Sequence, residues 1–243
     1  MTIDFVTIPR QSEEMPMLSR LNEQPFVAPV ELLKDEPMLF SASPQFALQE
    51  GGPLTLEATT FLLNAGEISL DRGNVVIDTR VHMLKPGWIP AIGGWHCDAI
   101  PRGEDGQPVL DHPAIPGIRH YLLVVDCGTG SMTEFLNHGS LITELLQKVA
   151  SPGKNLWGEH SEEINTYLSD LVELGADRSE YVTTAESGAL YKFSARDYHR
   201  AIPATGHGWR YFFRASVNTM VKEPLNEIRK QVQVYLPHED LGW

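Results

Sequence analysis

The sequence predicts a mainly β fold, a sandwich or a barrel, with helices packed outside it. From about residue 54, short segments rich in β-branched and aromatic residues recur, separated by Pro, Gly and Asp. Ser140 to Gly175 is the exception, because its apolar residues follow helical spacing. A chain of 243 residues with a 42% hydrophobic fraction can bury a real core as one large domain or two small ones. β-Layers enclosing that core, with helices outside, satisfy these observations together.

The first 53 residues are expected to form an arm that wraps the domain. This part is rich in proline and acidic residues, and Pro16, Pro25, Pro29 and Pro37 would interrupt any long helix. The segment VELLKDEPMLF is its one candidate for a short helix. Residues 54–243 are then expected to form the β domain, with a helical insertion at about 140–175.

The predicted elements follow in chain order. The strand pattern occurs in LTLEATTFLL, NVVIDTRVHML, RHYLLVVDCG, MTEFLN, EYVTTA, ALYKFS and GWRYFFRASVN. In the insertion, LITELLQKV and SEEINTYLSDLVEL have helical periodicity. Ser161 is placed to cap the second of these helices, and Glu162 and Glu163 in its first turn suit the helix dipole.

The charge of the chain bears on its partners. A formal net charge of −13 disfavours binding to duplex nucleic acid, because most of the surface would repel phosphates. A local basic groove would still permit such binding, since Lys192, Arg196, Arg200, Arg210 and Arg214 fall within one short stretch. We therefore favour a small molecule, or a peptide or protein side chain, as the partner.

The cysteine count and the apolar runs bear on localisation. No apolar run reaches membrane-spanning length, and the N-terminal segment MTIDFVTIPR lacks the pattern of a secretory signal. Two cysteines, Cys97 and Cys127, do not form a disulfide framework and are interpreted as reduced thiols. These features predict a cytoplasmic protein without a membrane partner.

The segment GGWHCDAIPRG carries the first candidate metal ligands. In an extended segment, residues i and i+2 project to the same side, so His96 and Asp98 would converge while Cys97 faces away. An imidazole and a carboxylate form a mixed nitrogen and oxygen site that suits a divalent metal such as iron(II). A single H-x-D is a short motif, and alone it is more typical of a polar turn.

A second polar cluster lies between residues 196 and 216. His199 follows the strand-like ALYKFS, and the later strand places Arg210, Phe212, Arg214 and Ser216 on one face. Two arginines on one face of a largely apolar strand are costly to bury without an anion, and a dicarboxylate would satisfy a guanidinium by paired hydrogen bonds. The alternative, equally open from the residues alone, is that both arginines reach solvent or pair with acidic side chains.

Taken together, these residues resemble the iron(II)- and 2-oxoglutarate-dependent dioxygenase superfamily. The similarity consists of H-x-D, a distal histidine and then an arginine on the next strand, and it spans roughly Arg80 to Ser216. The resemblance implies a double-stranded β-helix, a cupin-like jelly roll with flanking helices. It also implies that His96, Asp98 and His199 are the metal ligands.

The resemblance further implies the cosubstrate site. Arg210 matches the place of the group that binds the distal carboxylate of 2-oxoglutarate, whereas Arg214 and Ser216 form the R-x-S that some branches use instead. We favour Arg210, with Arg214 as the second choice or a substrate contact. Thr133, on the predicted inner strand MTEFLN, is a further candidate contact with the cosubstrate.

The implied reaction consumes O2 and 2-oxoglutarate and hydroxylates, or oxidatively demethylates, a substrate C–H bond. Two alternatives remain open. A cupin-like metalloenzyme without a cosubstrate would not need an arginine on the strand after the last ligand. A non-catalytic jelly-roll binding or assembly module would have no affinity for iron. The oxidised substrate is not predicted by the sequence.

Overall fold

The computed structural model describes residues 18–70, 74–91, 93–104, 109, 112–137, 165–166, 168–170, 172, 181–221 and 223–236. In this part of the chain, the dominant element is a five-stranded antiparallel sheet. In spatial order it contains β1 (Ser19–Arg20), β7 (Leu190–Ser194), β4 (Arg119–Cys127), β9 (Gly208–Val217) and β3 (Val75–Leu84). The long strand β9 lies between β4 and β3, so its side chains stand in the middle of the sheet.

A smaller antiparallel sheet consists of β6 (Val182–Thr184), β5 (Thr133–Leu136) and β8 (His199–Ala201). Beyond β8, a single bridge between His199 and His96 adds the segment around residue 96 to this sheet. A third pairing joins β2 (Met38–Phe40) to β10 (Glu227–Arg229) beside β3, where Ala42 bridges Ile77.

The two larger sheets face each other across an apolar layer. Phe135 of β5 packs in one buried cluster with Leu122 and Val124 of β4 and with Tyr191 and Phe193 of β7. Such interdigitated side chains from two inner faces form the core of a β-sandwich. The space between the sheets is therefore where inward-pointing polar residues can meet.

The outer face of the five-stranded sheet is covered by helices. They are α1 (Val30–Lys34), α2 (Pro44–Glu50) and α3 (Pro53–Asn64), and their buried residues pack against alternate residues of β3, β4 and β9. On the far side, the helical residues Leu168 and Val172 pack with Trp95 on the outer face of the smaller sheet. The fold is thus mainly β, a double-stranded β-helix with flanking helices, as the sequence predicted.

The segment LTLEATTFLL is a correction, because it forms helix α3 instead of the predicted strand. Pro53 lies in the first turn, where its missing N–H has no intrahelical partner to lose. The buried Glu36 carboxylate then accepts a hydrogen bond of 2.5 Å from the Leu54 backbone N–H at the free helix end. Leu54, Ala58 and Leu62 recur every fourth residue and are all buried, so the apolar stripe is helical. These tertiary contacts outweigh the strand preference of the threonines.

The other predicted strands are present in the described residues. The candidate helix VELLKDEPMLF is shorter than its pattern, since α1 ends at Lys34 and Met38–Phe40 forms β2. Strands β1 and β2 come from the first 53 residues, yet they pair with β7 and β10. The division at residue 53 stays a prediction.

Most of the predicted insertion, including Ser161, Glu162 and Glu163, lies outside the described residues. None of the helices that the structure describes has both the length and the apolar character needed to span a bilayer.

Candidate metal centre

His96 and His199 lie directly opposite each other on neighbouring chain segments. The backbone N–H of each donates to the backbone carbonyl of the other, and both hydrogen bonds measure 3.0 Å. Paired residues in such a bridge project their side chains to the same face, and the two imidazole centroids are 4.6 Å apart. Strand pairing therefore brings together two histidines that are distant in the sequence.

The backbone also orients both imidazole rings. Nδ1 of His96 lies 3.0 Å from the carbonyl oxygen of Gly94, and Nδ1 of His199 lies 3.0 Å from the carbonyl oxygen of Asp197. A carbonyl can only accept, so each Nδ1 carries the proton and donates it. In the neutral rings, both Nε2 atoms then keep a free lone pair. A hydrogen bond of this kind is the usual support of a metal-binding histidine.

Gly94 has a local reason to be glycine. Its φ is +88°, a conformation that side chains disfavour, and a Cβ there would lie 2.8 Å from Oδ1 of Asn165. The same Asn165 Oδ1 accepts a hydrogen bond from the Trp95 backbone N–H. The glycine thus allows the close approach that places the Gly94 carbonyl oxygen within hydrogen-bonding distance of Nδ1 of His96.

Asp98 completes a cluster with the two histidines. One ligand atom from each of His96, Asp98 and His199 lies within 4.8 Å of the other two, and Nε2 of His199 is 3.4 Å from Oδ2 of Asp98. Burial opposes ionisation of Asp98, but Arg214, His199 and His120 together outweigh it and hold the pKa of this carboxyl well below its usual value. Burial and the neighbouring His199 lower the pKa of His96. Both shifts favour the protonation states that metal ligation requires.

Cys97 lies on the other side of this segment, as the alternation predicted. It packs with Trp95 and Tyr198 on the outer face of the smaller sheet. The thiol therefore lies outside the cluster of possible metal ligands.

The two arginines of β9 have different surroundings. Arg214 donates from Nη1 to Oδ2 of Asp98, and from Nη2 to Oδ2 of Asp78 at 3.1 Å. Burial lowers the pKa of Arg214, yet the two carboxylates outweigh it and raise that pKa above its ordinary value. Arg214 is thus engaged by carboxylates, one of them a candidate metal ligand.

Arg210 is buried without a comparable ion pair. It is 2% exposed, and its Nε donates to the Ser131 carbonyl oxygen at 2.8 Å. Among the described residues, neither Nη nitrogen has a hydrogen-bond partner. Burial lowers the pKa of Arg210 to about 10, although the Asp126 carboxylate opposes that shift. A buried guanidinium with two free Nη groups is suited to an anionic ligand.

Ser216 and Thr133 are the other two residues that the sequence predicted as cosubstrate contacts. Ser216 is buried, and its Oγ lies 2.8 Å from Nδ1 of His120. Thr133 is buried on β5, on the same strand face as Phe135, whose ring centroid lies 5.8 Å from that of His199. Thr133 thus lies on the face that carries the metal candidates. Its contact with a cosubstrate stays a prediction.

Sequence reasoning missed two polar residues of the inner face. Asp78 pairs directly across from Arg214, and His120 pairs directly across from Ser216. Burial lowers the pKa of His120 to about 3, against the influence of the Asp98 carboxylate, so the ring is neutral. Asp78 shares a strand face with Arg80 and His82. This alternation of polar residues in the sequence could have indicated that Asp78 belongs to the polar inner face. The nearest residues on the strand face of His120 are Leu122 and Val124, so the alternation did not mark this histidine as part of a polar cluster.

The fold and the site together define a double-stranded β-helix protein with a His-Asp-His cluster that could hold a metal ion. No protein-family model matches the chain, and no curated protein matches it in a sequence search.

Solved structures do match the chain. AviO1 from Streptomyces viridochromogenes Tue57 is 13% identical, with 86% of this chain and 93% of that chain covered and a TM-score of 0.41. The Kdo hydroxylase KdoO, a non-heme Fe(II) α-ketoglutarate-dependent dioxygenase in complex with succinate and Fe(III), is 14% identical, with coverages of 82% and 78% and a TM-score of 0.36. An N-substituted L-amino acid dioxygenase from Burkholderia ambifaria AMMD, in complex with α-ketoglutarate, is 14% identical, with coverages of 72% and 64% and a TM-score of 0.35.

Proposed function

We propose that this protein is an iron(II)- and 2-oxoglutarate-dependent oxygenase that hydroxylates, or oxidatively demethylates, a C–H bond of a small molecule or of a peptide or protein side chain. One observation carries the proposal. His96, Asp98 and His199 offer three ligand atoms within 4.8 Å of one another between the two sheets. Two imidazoles and one carboxylate are the donor set typical of a non-heme iron(II) centre that leaves coordination positions open.

The surroundings of the three residues fit this role. Gly94 and Asp197 fix both rings through Nδ1, so the Nε2 atoms are the available donors. Asp98 accepts from Arg214, and carboxylate oxygens have further lone pairs for a cation. Phe135 and Phe193 lie against the His199 ring, with centroids 5.8 Å and 5.2 Å away, and would limit the access of water on that side.

Arg210 is the proposed anchor of the cosubstrate. Its free Nη groups would bind the distal carboxylate of 2-oxoglutarate in a bidentate pair, and this carboxylate would neutralise the buried charge. Arg214 is the weaker candidate, because Asp98 and Asp78 already engage its guanidinium. Ser216 and Thr133 are the additional contacts proposed for the cosubstrate.

Bound iron(II) would supply O2 activation, in which 2-oxoglutarate is converted to succinate and CO2 and the second oxygen atom enters the substrate C–H bond. The contribution of the chain is to hold the cation with His96, Asp98 and His199 and to hold the cosubstrate with Arg210. The aromatic layer between the sheets would exclude competing reactions with water.

The proposal is tested by release of CO2 from 1-labelled 2-oxoglutarate in the presence of iron(II), ascorbate and pooled metabolites or peptides. We expect the wild type and His207→Ala to release CO2, because His207 is exposed and outside the cluster. His199→Ala should reduce the release to background. Equal release by the wild type and His199→Ala under every condition would refute the proposal.

The two alternatives give different results in related measurements. A cupin-like enzyme without a cosubstrate would bind iron but show no dependence on 2-oxoglutarate. A non-catalytic module would show no saturable binding in an anaerobic iron(II) titration. Within the described part of the chain, the Nη groups of Arg210 have no partner, which favours the oxygenase over both alternatives because neither of them needs a buried anion site at this position.

A further inference from the structure

A basic cleft lies between β3, β2 and the segment of residues 229–233, outside the candidate metal centre. Its volume is about 480 Å³, within the range of small-molecule sites. Three cationic residues line it, Arg80, Arg229 and Lys230, together with the amides of Gln231 and Gln233. No acidic residue is among the described residues that line this cleft.

No carboxylate among the described residues forms an ion pair with either arginine of the cleft. Neither Arg80 nor Arg229 has a hydrogen bond or ion pair with the residues that the structure describes. The guanidinium of Arg229 stacks on Phe40, with Cζ 3.2 Å from the ring centroid, which fixes its position. Burial and the charges of Arg214 and Arg229 lower the pKa of Arg80, although the Asp78 carboxylate opposes that shift. In a chain with a net charge of −13, unpaired arginines in a concave site indicate an anionic ligand.

Strand β3 contributes residues both to the cleft and to the surroundings of the candidate metal centre. Arg80 and Asp78 project from the same face of β3, about 7 Å apart, because each strand residue advances by about 3.3 Å. Asp78 accepts from Arg214, which also donates to the candidate ligand Asp98. Strand β3 thus places Arg80 two residues from Asp78, which Arg214 links to the candidate ligand Asp98.

We infer that this cleft binds an oxyanion group of the substrate, such as a carboxylate, phosphate or sulfate, with Arg80 and Arg229 as the binding residues. As substrate recognition, this inference rests on the proposed oxygenase function. The substrate is then an anionic small molecule whose reacting carbon lies away from its charged group. The small volume of the cleft and the two guanidiniums in its lining favour such a group over an extended polymer.

The anion site can be tested without iron or turnover. Phosphate, sulfate and acetate are titrated separately by calorimetry into the full chain, which has been freed of metal and then dialysed into low-salt buffer without chelator. We expect at least one of them to bind the wild type, and the anion that binds most tightly identifies the group. Arg80→Gln and Arg229→Gln should each weaken that binding by about tenfold or more, because charge-assisted hydrogen bonds are lost. Arg229 is exposed, so its variant keeps the test valid if Arg80→Gln folds poorly.

The matched control is Arg20→Gln, which removes the same charge from an arginine that pairs with Glu186. It should bind the anion as the wild type does. The inference is overturned if none of the anions binds the wild type, or if the Arg80 and Arg229 variants bind like the wild type. Loss of binding only in Arg210→Gln would place the anion at the other guanidinium and also overturn it. Anion binding without 2-oxoglutarate turnover would instead refute the proposed function alone.

Discussion

The backbones of His96 and His199 exchange two hydrogen bonds of equal length, which makes their side chains neighbours on one face of the smaller sheet. A one-residue slip in this pairing would turn one imidazole to the opposite face. The register of one antiparallel bridge therefore decides whether this chain has a candidate metal centre.

Removal of one imidazole should abolish tight metal binding. For His199→Ala, we expect the affinity for iron(II) to fall at least about 100-fold, because even the outer partners of metal ligands contribute about 10- to 100-fold. The measurement is an anaerobic titration against a chromophoric chelator. His207→Ala is the matched control and should retain wild-type affinity. An unchanged affinity in His199→Ala would remove this residue from the set of ligands.

Substitution of the two arginines of β9 should have different effects on the KM for 2-oxoglutarate. Arg210→Gln is expected to raise the KM for 2-oxoglutarate by about 10- to 100-fold, since hydrogen bonds to charged groups contribute about 1.5–3 kcal/mol. Arg214→Gln should change this KM by less than about threefold, because its guanidinium is already engaged by two carboxylates. Steady-state kinetics at saturating iron(II) decide between them. The reverse pattern would assign the cosubstrate to Arg214.

The ion pair between Glu67 and Lys192 should make stability depend on pH. Partial burial opposes ionisation of Glu67, but hydrogen bonds from Lys192 and Tyr121 outweigh it and lower its pKa below 4.5. A carboxyl with a depressed pKa stabilises the fold above its unfolded pKa, and this contribution is lost as the pH falls through the folded pKa. Glu67→Gln should therefore lower the free energy of unfolding at pH 7, by about 1 kcal/mol or less since the pair is partly exposed.

Urea denaturation of the wild type and Glu67→Gln at neutral and acidic pH measures this contribution. The difference between the two proteins should shrink as the pH falls below 4.5, the ordinary value of the carboxyl. A difference that grows on acidification would show that the sign of the shift is wrong. Glu186→Gln, which removes the exposed carboxylate that pairs with Arg20, is a matched control for the loss of one surface charge.

Helix α3 should behave as a core element with one buried face. Leu62 is fully buried against the five-stranded sheet, whereas Leu56 in the same helix is 41% exposed. We expect Leu62→Ala to reduce the free energy of unfolding by about 2–5 kcal/mol, because it leaves a cavity. Leu56→Ala should cost less than about 1 kcal/mol. Equal losses would contradict the helical packing of this segment.

The strands of the inner layer could be predicted because their patterns are local. NVVIDTRVHML and GWRYFFRASVN alternate between core and cavity faces, and both form long strands. The strand prediction for LTLEATTFLL was wrong, because the leucines and threonines of this segment fit both the period of a strand and that of a helix. The choice depends on Pro53 and on the distant Glu36, whose carboxylate meets the helix end only in the folded chain.

The candidate ligands were predicted from spacing and from the resemblance to the oxygenases, while their partners were not. Gly94 and Asp197 act through backbone carbonyls, which no side-chain pattern reveals. Asp78 and His120 come from strands whose neighbours in the sheet depend on the topology.

The sequence by itself determined the strand-rich fold, the i and i+2 placement of His96 and Asp98, and the common face of Arg210 and Arg214. These features follow from the two-residue period of a strand, which needs no tertiary contact. Only the tertiary structure decided that His199 meets the first pair, that Arg214 is engaged by carboxylates and that the Nη groups of Arg210 have no hydrogen-bond partner among the described residues. The physical reason is that pairing register and sheet order set the distances between residues far apart in the chain, and local periodicity does not specify them.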